Sequence, residues 1–282
     1  MNAMIKSLAI LTASVLFAGT AMTAEEGAPA HFPIKKPNNY EWTFSGPVGT
    51  YDKAQLQRGF QVYREVCSSC HSLNLVSFRN LAEHGGPGFS EDTVKALAAE
   101  YEVPAEPNDA GDVEPRPAIP SDKFPAPFAN VEAAKASNNG AEPPDFSLIA
   151  KARAAERGFP TFVFDIFTQY QESGPDYIVS LMTGYSSTEP NDSGTYDNPY
   201  FLGGASLAMA PPLSDGSVEY AQADIPQTTD QYAKDVAAFL MWAAEPHLEQ
   251  RKAMGFSVML FLIIFAGLLY FTKKKVWSDV EH

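Results

Sequence analysis

Cys67-Ser68-Ser69-Cys70-His71 is the stretch that most constrains this chain. Its pattern, C-x-x-C-H, is that of a covalent haem attachment site. Two thiols add across the two vinyl groups of one porphyrin, and the next residue offers an imidazole to the iron. Whatever folds around these five residues must therefore enclose a flat apolar group. Competing readings run short of ligands, because Cys67 and Cys70 are the two cysteines of 282 residues. A structural zinc takes four Cys or His, and no paired histidines follow. A thioredoxin-like redox pair needs a βαβ setting, whereas the flanks here read as helix. A disulfide across so short a loop gains little entropy.

Two apolar runs set the address. Lys6, the run 7–17 and the small residues after it read as a secretory signal, 1–24, with cleavage after Ala24 or Ala21. The run 254–272 carries no charge and is long enough to cross a bilayer. Arg251 and Lys252 precede it. Lys273, Lys274 and Lys275 follow it and place the tail on the cytoplasmic side. The expected organisation is a signal peptide 1–24, an exported haem domain 25–250, a transmembrane anchor 251–275 and a cytoplasmic tail 276–282. The formal net charge of −14 argues against nucleic acid and for basic partners.

The pattern between these runs is mainly helical with long irregular loops. An extended arm covers 25–50. Asp52 and Gln55 fit a capping box opening a helix whose apolar face carries Leu56, Phe60, Tyr63 and Val66. Gly59 inside it costs about 1 kcal/mol relative to Ala, which a close helix crossing explains. A short helix is expected at 91–100. An irregular, solvated loop is expected at 101–127, with six acids and one base between 100 and 117. A helix at 145–157 is followed by an aromatic-rich run, 158–173, too short to span a membrane. Further helices are expected at 175–184 and 227–244, separated by a Gly-, Asn- and Pro-rich loop, 188–212. Thr228 and Gln231 fit a second capping box. Pro246 suits the first turn of a new helix.

His71 supplies one axial position on the iron. Of eight methionines, Met1, Met4 and Met22 lie in the signal, and Met254 and Met259 in the membrane. Met241 and Met182 fall in helices where core packing is the default. Met209 remains, in Gly203-Gly204-Ala205-Ser206-Leu207-Ala208-Met209-Ala210-Pro211-Pro212. Glycines there allow close approach and prolines stiffen the backbone. His84 is the main competitor, too near His71 in the chain to reach the opposite face easily. A thioether ligand raises the reduction potential. With both axial sites filled, electron transfer is favoured over peroxidase chemistry.

Several blocks together resemble the cytochrome c1 family, the haem-bearing subunit of the bacterial cytochrome bc1 complex (ubiquinol–cytochrome c oxidoreductase). They are Arg58-Gly59-Phe60-Gln61-Val62-Tyr63 before the CSSCH, Asn138-Asn139-Gly140-Ala141, and 143–153 (PPDFSLIAKAR). Asp176-Tyr177, Leu181-Met182-Thr183-Gly184-Tyr185, Asn198-Pro199-Tyr200-Phe201, Met209-Ala210-Pro211-Pro212 and Trp242-Ala243-Ala244-Glu245-Pro246 complete them. The resemblance implies a cytochrome c-like helical domain whose first and last helices cross beside one covalent haem c. It implies Cys67 and Cys70 as thioether positions, with His71 and Met209 as axial ligands. Arg153 would pair with a haem propionate and Tyr177 would lie near the haem. It implies electrons arriving from a Rieske iron–sulfur protein and leaving to a soluble cytochrome c. Cytochrome b would be the membrane neighbour in a dimeric complex, with the haem domain in the periplasm. A free-standing membrane-anchored cytochrome serving another oxidase is the alternative that partner content distinguishes. The run 158–173 looks like an insertion relative to shorter members.

Overall fold

Residues 33–154 and 173–279 are described by a computed structural model, which is mainly helical. The expected signal and residues 158–172 of the aromatic run lie outside the described residues.

Two helices form the frame. Helix α1, Lys53–Glu65, starts at Asp52, whose carboxylate accepts from the Gln55 backbone N–H at 3.0 Å. Near the other end of the domain lies the helix Thr229–Ala244, called α6 below. The two cross at Gly59, as the sequence predicts. A Cβ added there would lie 2.0 Å from the Asp235 carbonyl oxygen and 2.7 Å from the Phe239 Cβ. Phe60 and Tyr63 then meet the Phe239 ring at 5.6 and 5.8 Å between centroids, within the range where aromatic pairs attract. Leu56, Val62, Val236, Phe239 and Leu240 are buried in the same seam.

A fully buried carboxylate locks the crossing. Asp235 receives a forked pair of bonds from Arg58, Nε to Oδ2 at 2.9 Å and Nη2 to Oδ1 at 3.1 Å. Tyr220 Oη donates to it at 2.9 Å and Gln231 Nε2 at 3.0 Å. Four donors offset the cost of taking this charge out of water. They also correct the second expected capping box. Thr228 Oγ1 does accept from the Gln231 N–H, at 3.4 Å, but the Gln231 side chain turns inward to Asp235 instead of back to Thr228.

The remaining elements pack around this pair. Helix α2 is Glu91–Ala98, capped by Ser90, and α3 is Val131–Ser137, capped by Asn130. The stretch expected to be irregular at 101–127 contains a short antiparallel hairpin, β1 Glu102–Pro104 against β2 Pro115–Pro117. It forms because Tyr101 anchors its base against Phe78 and Phe124, at 5.1 and 6.0 Å, while its acidic tip stays exposed. Of the helix expected at 145–157, the described residues 145–154 hold α4, Ile149–Ala152, with Arg153 as its C-terminal cap residue, and 155–157 lie outside the described residues. Asp145 and Ser147 hydrogen-bond to residues 72–75 instead of opening a helix. Helix α5, Ser173–Thr183, is close to the expected position. A two-residue ladder, β3 Tyr196–Asp197 with β4 Ser206–Leu207, interrupts the long loop after it.

The arm 33–50 lies on the domain. Asp176 on α5 accepts from Tyr40 N at 3.1 Å and Trp42 Nε1 at 2.9 Å, and Ser180 Oγ accepts from Asn38 N at 2.9 Å. Trp42 and Phe44 are buried.

Helix α7, Leu248–Val276, follows a break at Glu245-Pro246-His247. His247 stands at its N-cap position, so Pro246 precedes the helix instead of occupying its first turn. An 18-residue stretch of α7 has mean hydropathy 2.3 and none of it is buried in the chain. Phe256, Phe261, Leu262, Ile263 and Leu269 are among its exposed side chains. A core helix would bury them; a helix apolar on all sides and bare fits a single-pass membrane anchor. Its root is held to the domain. Tyr51 N donates to Glu249 Oε1 at 2.9 Å, Lys252 Nζ to Phe44 O at 2.6 Å, and Glu245 pairs with Arg251 and with Lys151, the latter at 2.8 Å.

Candidate functional site

The end of α1 sets the geometry of the attachment turn. A single 3-10 turn, Cys67–Ser69, follows the helix, and Cys67 O accepts from both Cys70 N at 3.1 Å and His71 N at 2.9 Å. The two intervening serines have a local reason to be there. Ser68 Oγ donates to Arg64 O at 2.7 Å and Ser69 Oγ to Val66 O at 3.0 Å, so they satisfy carbonyls that the ending helix leaves open. Tyr63 Oη donates to His71 O at 3.1 Å. The turn thus presents both thiols and the imidazole from one anchored point.

His71 is buried and directed. Its Nδ1 lies 2.8 Å from the Pro144 carbonyl oxygen. A carbonyl only accepts, so Nδ1 carries the proton and Nε2 keeps its lone pair. Burial holds the His71 pKa below its ordinary value, opposed by the Pro144 bond and the Asp145 charge. The neutral ring is the form that binds metal. The Phe146 ring stacks on the imidazole at 3.9 Å and 14°. Burial pushes the Cys67 thiol up to about 12, with Cys70 beside it adding to the effect.

Arg153 and Tyr177 lie within electrostatic reach of each other, and Tyr185 holds the Met209 loop. Arg153 is exposed at the end of α4, near enough that its charge bears on the buried Tyr177. Burial raises the Tyr177 pKa, and the Leu202 N–H, donating to its Oη at 3.5 Å, and Arg153 oppose the rise. Tyr185, held neutral by burial, donates from its Oη to the Met209 carbonyl at 3.1 Å. Met209 is half-buried against the core. Of the rivals for its role, Met241 is fully buried in α6, while Met182 on α5 is half-buried as Met209 is. His84 is exposed in a loop where a Cβ on Gly85 would come within 3.5 Å of Pro246 O. That loop abuts the root of α7.

These residues fit a porphyrin better than a bare ion. Val66 and Cys67, Phe146, Tyr185, and the loop residues Leu202 and Met209 come from four stretches of chain, and each packs against the core with a minor part of its surface open. A large apolar ligand would cover such surfaces. Among the described residues no three His, Cys, Asp or Glu side chains gather to hold a metal ion on their own. Pro144, Asp145 and Phe146 surround the His71 ring although the sequence gives them no role. The Pro143-Pro144-Asp145-Phe146 run, far from the Cys67–His71 motif, was the signal available for them.

The Cytochrome C1 family model matches residues 42–280. This chain belongs to the cytochrome c1 family. A cytochrome c1 of Blastochloris viridis is 50% identical over 250 residues, covering 87% of this chain and 88% of that one. The cytochrome c1 of Rhodospirillum rubrum is 40% identical over 301 residues, covering 100% of each. A "Cytochrome b/c1" of Bradyrhizobium diazoefficiens is 52% identical over 277 residues, 97% of this chain, and this chain spans 39% of its length. Membership of this family makes the chain a haem-binding redox protein of electron transport, with α7 fitting its membrane anchor.

Proposed function

We propose that the chain is the electron-carrying subunit of a quinol–cytochrome c oxidoreductase, holding one covalent haem c on the outer face of the cytoplasmic membrane. The observation that carries this reading is the buried His71 imidazole, one residue past Cys70, with Nδ1 bonded to Pro144 O at 2.8 Å and Nε2 left for a metal. Cys67 and Cys70 would hold the group by thioethers, and His71 and Met209 would take the two axial positions. Arg153 would meet a propionate, with Tyr177 beside it. The haem, when bound, supplies one-electron Fe(III)/Fe(II) chemistry. The chain's part is to hold the ligands still: α1 and the 3-10 turn fix the thiols, Pro144 fixes the ring, and Tyr185 fixes the loop that carries Met209. Phe146, stacked on the His71 imidazole at 3.9 Å, would cover one face of that ring.

The root of α7 would keep the domain at a set height above the membrane, because Lys252, Glu245 and Glu249 bind it to the arm and to α4. Lysines 273–275 support a periplasmic domain and an inner tail. Electrons would come from a Rieske iron–sulfur protein and pass to a soluble cytochrome c, with cytochrome b as membrane neighbour in a dimeric complex. The exposed acids Glu102, Glu106, Asp109, Asp112 and Glu114 on the β1–β2 hairpin would steer a basic acceptor. Purification in mild detergent with identification of the partners tests the assignment. Recovery with cytochrome b and a Rieske protein is expected; a haem protein that purifies alone under those conditions would contradict it.

A further inference from the structure

Two strings of chain, 71–75 and 143–148, run side by side between the attachment turn and α4. Phe146 N donates to Ser72 O at 2.8 Å, and Leu75 N donates to the buried Ser147 Oγ at 2.9 Å. Asp145 stands at the centre of this seam. Its Oδ2 accepts from Ser72 Oγ at 2.8 Å and Asn74 N at 2.9 Å, and its Oδ1 accepts from Ser147 N at 2.9 Å. The carboxylate is therefore tied to the chain one and three residues past His71.

Both neighbours of Asp145 touch the His71 ring. Pro144 gives the carbonyl that receives Nδ1–H at 2.8 Å. Phe146 gives the ring stacked on the imidazole at 3.9 Å. Rotation of the imidazole would break the first contact and collide with the second. Asp145 touches neither ring atom, yet it sets where both contacts stand.

We propose that Asp145 is a positioning residue for the His71 imidazole, fixing through Pro144 and Phe146 the orientation and the basicity of the ring. The proposal rests on the reading of His71 as an axial ligand. The physical link is general: a bond from the outer nitrogen of a ligating histidine orients the ring and makes the inner nitrogen a stronger donor. Charge-assisted bonds to a carboxylate are stronger than neutral ones, so Asp145 suits a clasp that must not slip. Removing it lets the 143–147 string drift, weakens the Nδ1–H bond and leaves the iron with a poorer donor. A poorer donor favours Fe(II), so the potential rises.

The test uses the full-length protein purified from membranes, comparing wild type with Asp145→Ala, Asp145→Asn and Ser72→Ala. Low-spin EPR of the oxidised protein reads the ring orientation, and redox titration reads the potential. Asp145→Ala is expected to keep its haem with shifted g-values and a raised potential. Asp145→Asn, which retains one acceptor oxygen, should recover part of both shifts. Ser72→Ala, which leaves Asp145 two of its three bonds, should show a smaller change of the same sign. It decides the matter if Asp145→Ala does not accumulate. Haem-loaded variants with unchanged g-values and potential would overturn the proposal while leaving the ligand reading intact. A wild-type protein without haem would overturn the ligand reading, and the proposal with it.

Discussion

Gly59→Ala asks whether the crossing of α1 and α6 is as close as it is because the attachment turn needs a fixed platform. The added Cβ would sit 2.0 Å from the Asp235 carbonyl oxygen, 2.7 Å from its carbonyl carbon and 2.7 Å from the Phe239 Cβ. These are backbone and Cβ atoms, so no rotamer change relieves the clash. Ordinary contact begins at 3.4 Å, and the helices must part by on the order of 1 Å to reach it. Two effects oppose one another. Alanine gains about 1 kcal/mol of helix propensity over glycine. Overpacking costs about 1–3 kcal/mol, and parting the helices also stretches the Arg58–Asp235 fork, now at 2.9 and 3.1 Å. A weakened buried ion pair adds to the loss, since breaking one outright costs about 3–5 kcal/mol. The net expectation is a destabilisation of about 2 kcal/mol. For a chain of this size that lowers the Tm by about 4–8 °C. Thermal unfolding followed by circular dichroism of the detergent-solubilised protein measures it. A Tm equal to or above that of wild type would refute the argument that Gly59 serves a close crossing.

Glu245 has its pKa held below the ordinary 4.5: burial raises it, but bonds from Lys151 and Arg251 outweigh that. The folded state then binds this proton less tightly than the unfolded one, so its contribution is present above about pH 4.5 and fades as the pH falls below it. Stability measured from pH 7 to pH 3 should decline less steeply in Glu245→Gln; an identical slope would remove Glu245 from the account. Met209→Leu should lower the reduction potential and let the reduced protein bind carbon monoxide, and an unchanged potential would sink the ligand assignment. Neutralising Glu106, Asp109 and Asp112 together should slow association with a basic cytochrome c and flatten its dependence on ionic strength. Association rates equal to wild type at low salt would show that the hairpin does not steer.

What could be read from the residues depended on whether a local pattern met a tertiary demand. Gly59 was legible because a glycine inside a good helix has few explanations, and a near neighbour is one of them. Asp52 was legible as a cap because its carboxylate stands three residues before the Gln55 amide that it accepts from. Gln231 misled because the buried charge of Asp235, four residues on, draws its amide inward. The helix expected from 145 starts later, at Ile149, for a similar reason: Asp145 and Ser147 are committed to residues 72–75, a pairing some seventy positions away in sequence. The β1–β2 hairpin was hidden because its prolines and acids read as loop, and its anchor, Tyr101 on Phe78 and Phe124, is a packing contact. At the site, Cys67, Cys70 and His71 stood out by spacing alone as the proposed attachment motif. The residues that orient its histidine were not, because Pro144 acts through a backbone carbonyl and Asp145 through backbone amides and a serine.

The central claim is that this chain carries one covalently held haem at Cys67 and Cys70. It is tested most directly by a pyridine haemochrome assay on protein extracted with acidified acetone, which strips haem that is not covalently bound. One haem per chain remaining with the protein is the expected result; haem lost to the solvent, or none present before extraction, would contradict it.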